Sequence, residues 1–376
     1  VQGFDTSGRY GDAAVIAALQ GVSGARTLDF RYEQLDRFNH KLADITGMIT
    51  ASVSQDASAD VKRTAQFVLR DGYDAIDYLS DRIKPYVRLQ MPDNGWVEWP
   101  QGVYLLSSPT KSLATNGEVT RSVEAYDQLV VISADAVSDR YSIPAGQRFA
   151  AAIGALLDGS GITAAITPSD LALPVTWDYE AGTSKLTILT DMLSAMNYRS
   201  PWFDESGTLI CEPYVLPVQR GIGYTYATDS TSMIVGQVDQ SYDLFNIPNK
   251  WTLVVSDTDQ GSFSSTFINS DPTSPTSTVS RGRTIMSFDS GQSAADQATL
   301  DALVKKTAYE SSQVYESVAF SSGLMPFHSN ADIIAMTVGD LTLSSAKFEE
   351  LSWSMDLKVG GSMSHTVRRI ISTVGS

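Results

Sequence analysis

Side chains able to do chemistry are few in this chain, and their spacing points away from the familiar catalytic patterns. The three histidines, His40, His328 and His365, are far apart, and none stands in a His-Glu-x-x-His or related metal spacing. The single cysteine, Cys211, excludes both a zinc ribbon and an internal disulfide. His365 falls beside core positions of a strand pattern, so a packed or hydrogen-bonded structural role is expected for it; His328, after Met325-Pro326-Phe327, is expected to order a turn.

Nucleophilic serine chemistry needs Gly-x-Ser-x-Gly between a strand and a helix. Neither Gly21-Val22-Ser23-Gly24 nor Gly360-Gly361-Ser362-Met363-Ser364 meets that pattern. Glycoside hydrolysis needs two carboxylates facing each other across a cleft, and the closest sequence pairs are Asp178/Glu180 and Glu349/Glu350. The first pair flanks Tyr179 before a turn and reads as solvated acids. Neighbours on a strand point to opposite faces, so Glu349 and Glu350 cannot act as a same-face pair.

Asp71-Gly72-Tyr73-Asp74-Ala75-Ile76-Asp77 superficially resembles a calcium loop, but its glycine is misplaced and Tyr78 stands where a bidentate glutamate belongs. Gly221-Ile222-Gly223 lacks the rest of a dinucleotide fingerprint, and no phosphate loop is present. The tryptophans Trp96, Trp99, Trp202, Trp251 and Trp353 could be sugar platforms, yet they sit inside strand patterns where large rings pack cores or subunit contacts. No catalytic, cofactor-binding or metal-binding residue is assigned, no cofactor is expected, and the chain is not read as an enzyme.

The elements that would position any site are mostly strands. Val61, Ala65, Phe67 and Leu69 alternate with Lys62, Thr64 and Gln66, the period of a half-buried strand. Strand-like runs Pro85 to Leu89 and Gly95 to Leu106 flank Pro92-Asp93-Asn94-Gly95, whose Asn-Gly suits a tight hairpin turn. Val119, Arg121, Val123 and Ala125 continue the pattern after a polar stretch. Asp12 to Leu19, Gln147 to Leu157 and Ser184 to Met196 carry helical spacing, and Trp202 to Cys211 reads as a hairpin.

Strand character returns near Leu216 and again at Asn249 to Val255. Gly261 to Val279, rich in Ser, Thr and Pro, is expected to be a mobile or partner-gripped loop. The longest helix is expected over about 293–317, with Ser293 and Asp296 spaced as a capping box. Finally, Leu351, Trp353, Met355, Leu357 and Val359 alternate with Glu350, Ser352, Ser354, Asp356 and Lys358 before Gly360-Gly361 turns the chain into Met363, His365, Val367, Arg369 and Ile371. A C-terminal hairpin with Glu350 on its polar face is the expectation.

With 376 residues, two or three domains are expected, and 43% hydrophobic against 19% charged residues describes a globular chain. A net charge of −16 argues against sequence-independent binding to nucleic-acid phosphates, although an acidic wall would let DNA pass without holding it. The longest apolar stretches fall short of the ~18 residues that span a bilayer, and a signal pattern is missing, so a soluble chain assembled in a reducing cytosol is expected. Numbering that opens at Val1 fits a removed or uncounted initiator methionine, or processing of a longer precursor.

Ser58 to Leu69, Arg82 to Leu89, Trp96 to Leu106 and Val123-Glu124-Ala125-Tyr126-Asp127, taken in order, resemble the first tube-like domain of tailed-phage baseplate and tail-tip hub proteins, a family shared with contractile injection machines. Asn246-Ile247-Pro248-Asn249, Ser280-Arg281-Gly282-Arg283 and Leu351 to Arg369 occur where that family has its second barrel. The resemblance implies a β-rich α+β fold: an arm (1–25), a first tube-like β-barrel (26–135), an α+β insert (136–215) and a second barrel with the bracing helix (216–376). It further implies a structural homotrimer forming a pseudo-sixfold ring between the tail tube and the tip, placed in the virion after assembly in the host cytoplasm. Implied partners are the distal tail ring, tip or fibre proteins, and DNA or tape measure protein in the lumen, with no membrane insertion. Larger hubs carry hydrolase or fibre-like extensions after the barrels, so wall digestion is expected from other chains. Two alternatives stand beside it: a tail-associated peptidoglycan hydrolase using Asp178 and Glu180, and a receptor- or carbohydrate-binding tip module using tryptophans.

Overall fold

Alternating apolar and polar residues build a run of strands in the N-terminal part of the chain. The computed structural model describes residues 1–22, 24–242, 245–255, 263–292, 297–311 and 314–372. It opens with α1 (Asp12–Leu19), then β1 (Leu28–Leu35), β2 (Lys41–Asp44), β3 (Met48–Asp56), β4 (Arg63–Arg70), β5 (Arg82–Gln90), β6 (Trp96–Pro100), β7 (Tyr104–Leu106), β8 (Thr110–Leu113) and β9 (Val119–Tyr126). Ala65, Phe67 and Leu69 of β4 point inward as the pattern requires, and so does Arg63. The hairpin between β5 and β6 pairs Gln90 with Trp96, and Asn94 takes the expected left-handed conformation at φ 64°.

The single strand expected from Gly95 to Leu106 is broken into β6 and β7. Gly102 causes the break: it adopts φ +117°, and a Cβ there would stand 3.0 Å from the Tyr104 ring.

A small α+β layer follows, made of α2 (Leu129–Ala134), β10 (Tyr141–Ile143), α3 (Phe149–Leu157), β11 (Ala164–Ile166), β12 (Trp177–Tyr179), α4 (Lys185–Ala195), β13 (Trp202–Phe203) and β14 (Leu209–Cys211). Ile153, Leu156, Ile188, Leu189, Met192 and Cys211 share one buried cluster, each full-size aliphatic contributing about 1.5–3 kcal/mol by leaving water. Ser184 Oγ accepts from Thr187 N–H at 3.1 Å and caps α4, as its position before the apolar stripe implies.

The remaining elements are β15 (Tyr224–Ala227), β16 (Ile234–Tyr242), β17 (Lys250–Val255), β18 (Phe263–Ile268), α5 (Thr278–Arg281), β19 (Met286–Gln292), α6 (Gln297–Ser311), β20 (Val314–Gly323), β21 (Ile333–Val338), β22 (Leu343–Asp356) and β23 (Ser362–Ser372). The chain divides into two compact units: residues 1–237 with 320–366, and residues 238–319 with 367–376.

In the second unit, β17 lies between β18 and β19, and Leu300, Val304 and Ala308 of α6 pack on Trp251, Leu253 and Val255. The helix expected to reach residue 317 ends at Ser311, and Val314 and Tyr315 belong to β20. Their apolar character serves a strand's alternation. The Ser293/Asp296 box lies outside the described residues. The Ser/Thr/Pro-rich segment is gripped by its own unit: Asn249 Nδ2 donates to the carbonyls of Thr276 and Arg283, and Asn269 Nδ2 donates to Ser274 Oγ. It contains β18 and the first residues of α5, and the hydroxyls of Ser274, Thr276 and Ser277 are buried.

In the first unit, the sheet order runs β22, β3, β4, β9, β7, β5, β1, β2, with β6 on β5, β8 on β9, and β21 followed by β15 beside β22. The chain is β-rich, but among the described residues this path stays open and does not close into a barrel. No helix among the described residues is long and apolar enough to cross a membrane.

The C-terminal hairpin forms with β22 and β23, but its inward face changes phase. Phe348 and Glu350 are buried on one side of the change, Trp353 and Met355 on the other, while Leu351 is half-buried and Val359 exposed. The slip falls where β22 changes partner, from β21 (Ile333 opposite Glu349) to β3 (Ser352 opposite Asp56). Glu350 is therefore a core residue and not a member of the polar face.

Candidate functional site

The phase change delivers a carboxylate into the core of the first unit, and two histidines meet it there. Glu350 comes from β22, His365 from β23, and His328 from the segment between β20 and β21. All three side chains are fully buried. His328 Nδ1 lies 2.7 Å from Glu350 Oε2, and His365 Nδ1 lies 2.6 Å from Glu350 Oε1. One carboxylate thus serves two imidazoles.

The far nitrogens are also engaged. Tyr226, on β15, places its hydroxyl 2.8 Å from His328 Nε2, and Ser322, on β20, places Oγ 2.8 Å from His365 Nε2. Aromatic rings fix the imidazole planes: Phe320 stacks on His365 at 4.5 Å between centroids, and Phe327 stacks on His328 at 4.9 Å. The segment carrying His328 is anchored by Trp353 Nε1–H donating to Ser329 O at 3.0 Å and by Ser329 N–H donating to Asp332 Oδ2 at 2.7 Å.

Electrostatics follow from this packing. Burial alone would raise Glu350, but His328 and His365 outweigh it and hold the carboxyl at about 2. Burial lowers His365 below the ordinary histidine range against the pull of Glu350. Tyr226 is driven well above its ordinary value by burial and then by the Glu350 charge, so its hydroxyl keeps its proton.

A second buried charge cluster lies on β4 of the same unit. Arg63, 1% exposed, forms an ion pair with Glu205, and its guanidinium sits 5.6 Å from the centroid of the Trp353 ring. Asp127 accepts from the backbone N–H groups of Arg63 and Leu129, each at 2.9 Å, while burial pushes its pKa up to about 6. Glu205 sits in the β13–β14 turn, so this cluster ties the α+β layer to the sheet.

The pairs singled out by spacing do not converge. Asp178 is held by Arg140 at 2.7 Å and by Ser142, and Glu180 is exposed. Glu349 pairs with Arg220 at 3.1 Å on the face opposite Glu350. Asp71 binds Lys111 and Arg121, Asp74 accepts from the N–H groups of Thr46 and Gly47, and Asp77 accepts from Ser80, so these acids serve three separate local contacts. Trp99, Trp251 and Trp353 are buried packing rings; Trp96 and Trp202 are half-buried. His40 stays exposed beside Asp36, apart from the other two histidines.

Sequence spacing missed the His328–Glu350–His365 cluster because its members come from three chain segments. The one signal was His365 in phase with Met363 and Val367, an ionisable group on an apolar face.

No protein-family profile matches the sequence, and no curated protein matches it. Among solved structures, a tail protein from Neisseria meningitidis MC58 superposes with a TM-score of 0.63 at 12% identity, covering 90% of this chain and 96% of that one. The chain has a phage tail-protein fold. The 43 kDa tail protein of prophage MuSo2 from Shewanella oneidensis agrees, with a TM-score of 0.62 at 9% identity over 91% of this chain and 98% of that one. A chain of the Francisella PdpA-VgrG complex, half-lidded, shares the tail-protein fold at a TM-score of 0.59 and 8% identity; the match covers 92% of this chain and 58% of that longer one. The hub family resemblance read from the ordered strand segments is thus met in the fold.

Proposed function

We propose that this chain is a structural phage tail hub protein, acting as a homotrimeric ring that joins the distal tail tube to the tip and lines the DNA exit channel. The observation that carries this reading is end-to-end superposition on two tail proteins, each covered over nearly its whole length. A match of that extent concerns the whole architecture and not one common motif.

Physical features of the chain suit the role. The sheet of the first unit is open and ends in β2, all four of whose residues are exposed, so it leaves unpaired backbone groups that a neighbouring subunit can use. Closure into two tube-like domains per subunit is proposed to occur on trimerisation, with threefold symmetry giving a pseudo-sixfold lumen. The net charge of −16 favours passage of DNA over its retention. Partners in this reading are the distal tail ring and the tip or fibre proteins, within the virion.

Light scattering on the purified chain tests the assembly. A mass of about 120 kDa, three times 40.6 kDa, is expected for a closed C3 ring. An electron-microscopic map of intact particles tests the position: density for this chain off the tail axis, or as single copies, defeats the proposal.

A further inference from the structure

We propose that His328, Glu350 and His365 form a structural binding site for one divalent cation of the zinc class, ligated by both Nδ1 atoms and the Glu350 carboxylate. This inference rests on local geometry and does not depend on the tail reading.

The first observation is convergence. One ligand atom from each residue lies within 4.8 Å of the others, and both Nδ1 atoms face the same carboxylate. Asp332 Oδ2, 3.7 Å from His328 Nδ1, puts a second carboxylate beside the group. Tetrahedral zinc with bonds of ~2.0–2.1 Å sets its ligand atoms ~3.3 Å apart. The Nδ1–carboxylate separations of 2.7 and 2.6 Å are shorter than that value and the three ligand atoms lie within 4.8 Å of one another, so side-chain adjustment would accompany seating of the ion.

The second observation is that both far nitrogens have partners of their own. Ser322 Oγ lies 2.8 Å from His365 Nε2 and Tyr226 Oη lies 2.8 Å from His328 Nε2, while both Nδ1 atoms face Glu350. A cation between them would be matched by the buried carboxylate and by the Nδ1 lone pairs of neutral imidazoles. Ser322 and Tyr226 then stand on the far nitrogens, where metal-ligating histidines usually find a hydrogen-bond partner.

Donor chemistry narrows the ion. Two imidazoles and a carboxylate suit zinc better than magnesium or calcium, which take oxygen ligands. Enclosure of all three side chains marks a structural and not a catalytic site, and it requires the ion to enter as the chain folds. Such an ion would staple β22, β23 and the His328 segment in a protein whose single cysteine cannot form an internal disulfide.

The test is refolding of the full chain with zinc chloride or with chelator, followed by removal of free metal. Elemental analysis is expected to find about one zinc per chain, with Tm at least ~4 °C above the chelator-refolded sample. Cobalt refolding should give the visible absorption of a tetrahedral ion. His365→Gln, which keeps a polar side chain, should lower zinc retention at least ~10-fold. Wild-type chain refolded in zinc that retains under ~0.1 ion per chain and melts with the chelator sample overturns the proposal, whatever the variant's folding yield.

Discussion

Two buried charge clusters in one unit solve the same problem in different ways. Around Arg63 the cation is permanent, because a guanidinium does not lose its proton, and it must be matched by Glu205 wherever the chain folds. Around Glu350 the anion is matched by two imidazoles, whose protons can be moved, shared or replaced. Exposure also differs: the Glu205 side chain keeps 9% of its surface, whereas Glu350, His328 and His365 keep none. A fixed pair suits a joint between two layers, and a proton-flexible group suits a closed core.

The comparison is broken most strongly by Glu350→Ala, which removes the one buried carboxylate that both imidazoles face. A loss of about 3–5 kcal/mol in urea unfolding is expected, the range for removing one partner of a buried pair. Arg63→Met should cost less, about 2–4 kcal/mol, because Glu205 lies close enough to the surface to be rehydrated. Equal losses from the two variants would show that exposure does not separate the clusters.

Acidity sharpens the contrast next. Asp127, beside Arg63 and Lys62, has its folded pKa raised to about 6, so between about pH 4 and 6 the folded state holds more proton than the unfolded one. Stability from this group is therefore greatest below its unfolded pKa and falls as pH rises through 6. Asp127→Asn should flatten that slope by about 1–3 kcal/mol in denaturation midpoints compared between pH 4.5 and 7, while lowering stability at acid pH by the loss of one backbone acceptor. An unchanged slope would mean that this carboxyl is ionised at no cost. The smallest effect is expected from Tyr226→Phe, which removes one hydroxyl from His328 Nε2 and should cost about 0.5–1.5 kcal/mol by thermal unfolding.

How much of this was legible depends on the range of the determining contacts. The α1, α3 and α4 helices and the Asn94 turn follow from local spacing and turn chemistry, and they stand where the pattern puts them. The inward position of Arg63 was hidden because a charged residue breaks an apolar count even when it keeps the strand's phase. Glu350 was misplaced for a related reason: period-2 logic assumes one continuous partner, and β22 changes partners between Glu349 and Ser352. The end of the long helix was overrun because Val314 and Tyr315 fit a helical stripe and a strand equally well.

By itself, the sequence determined the β-rich class, the main hairpins, helices α3 and α4 of the α+β layer and the burial of Trp99, Trp251 and Trp353. Those properties rest on side-chain period and turn preference, which act over a few residues. Tertiary structure alone decided that the strand path stays open, that Glu205 meets Arg63, and that Glu350 joins two histidines far from each other in the chain. Such meetings depend on sheet order and register, and no local spacing encodes them.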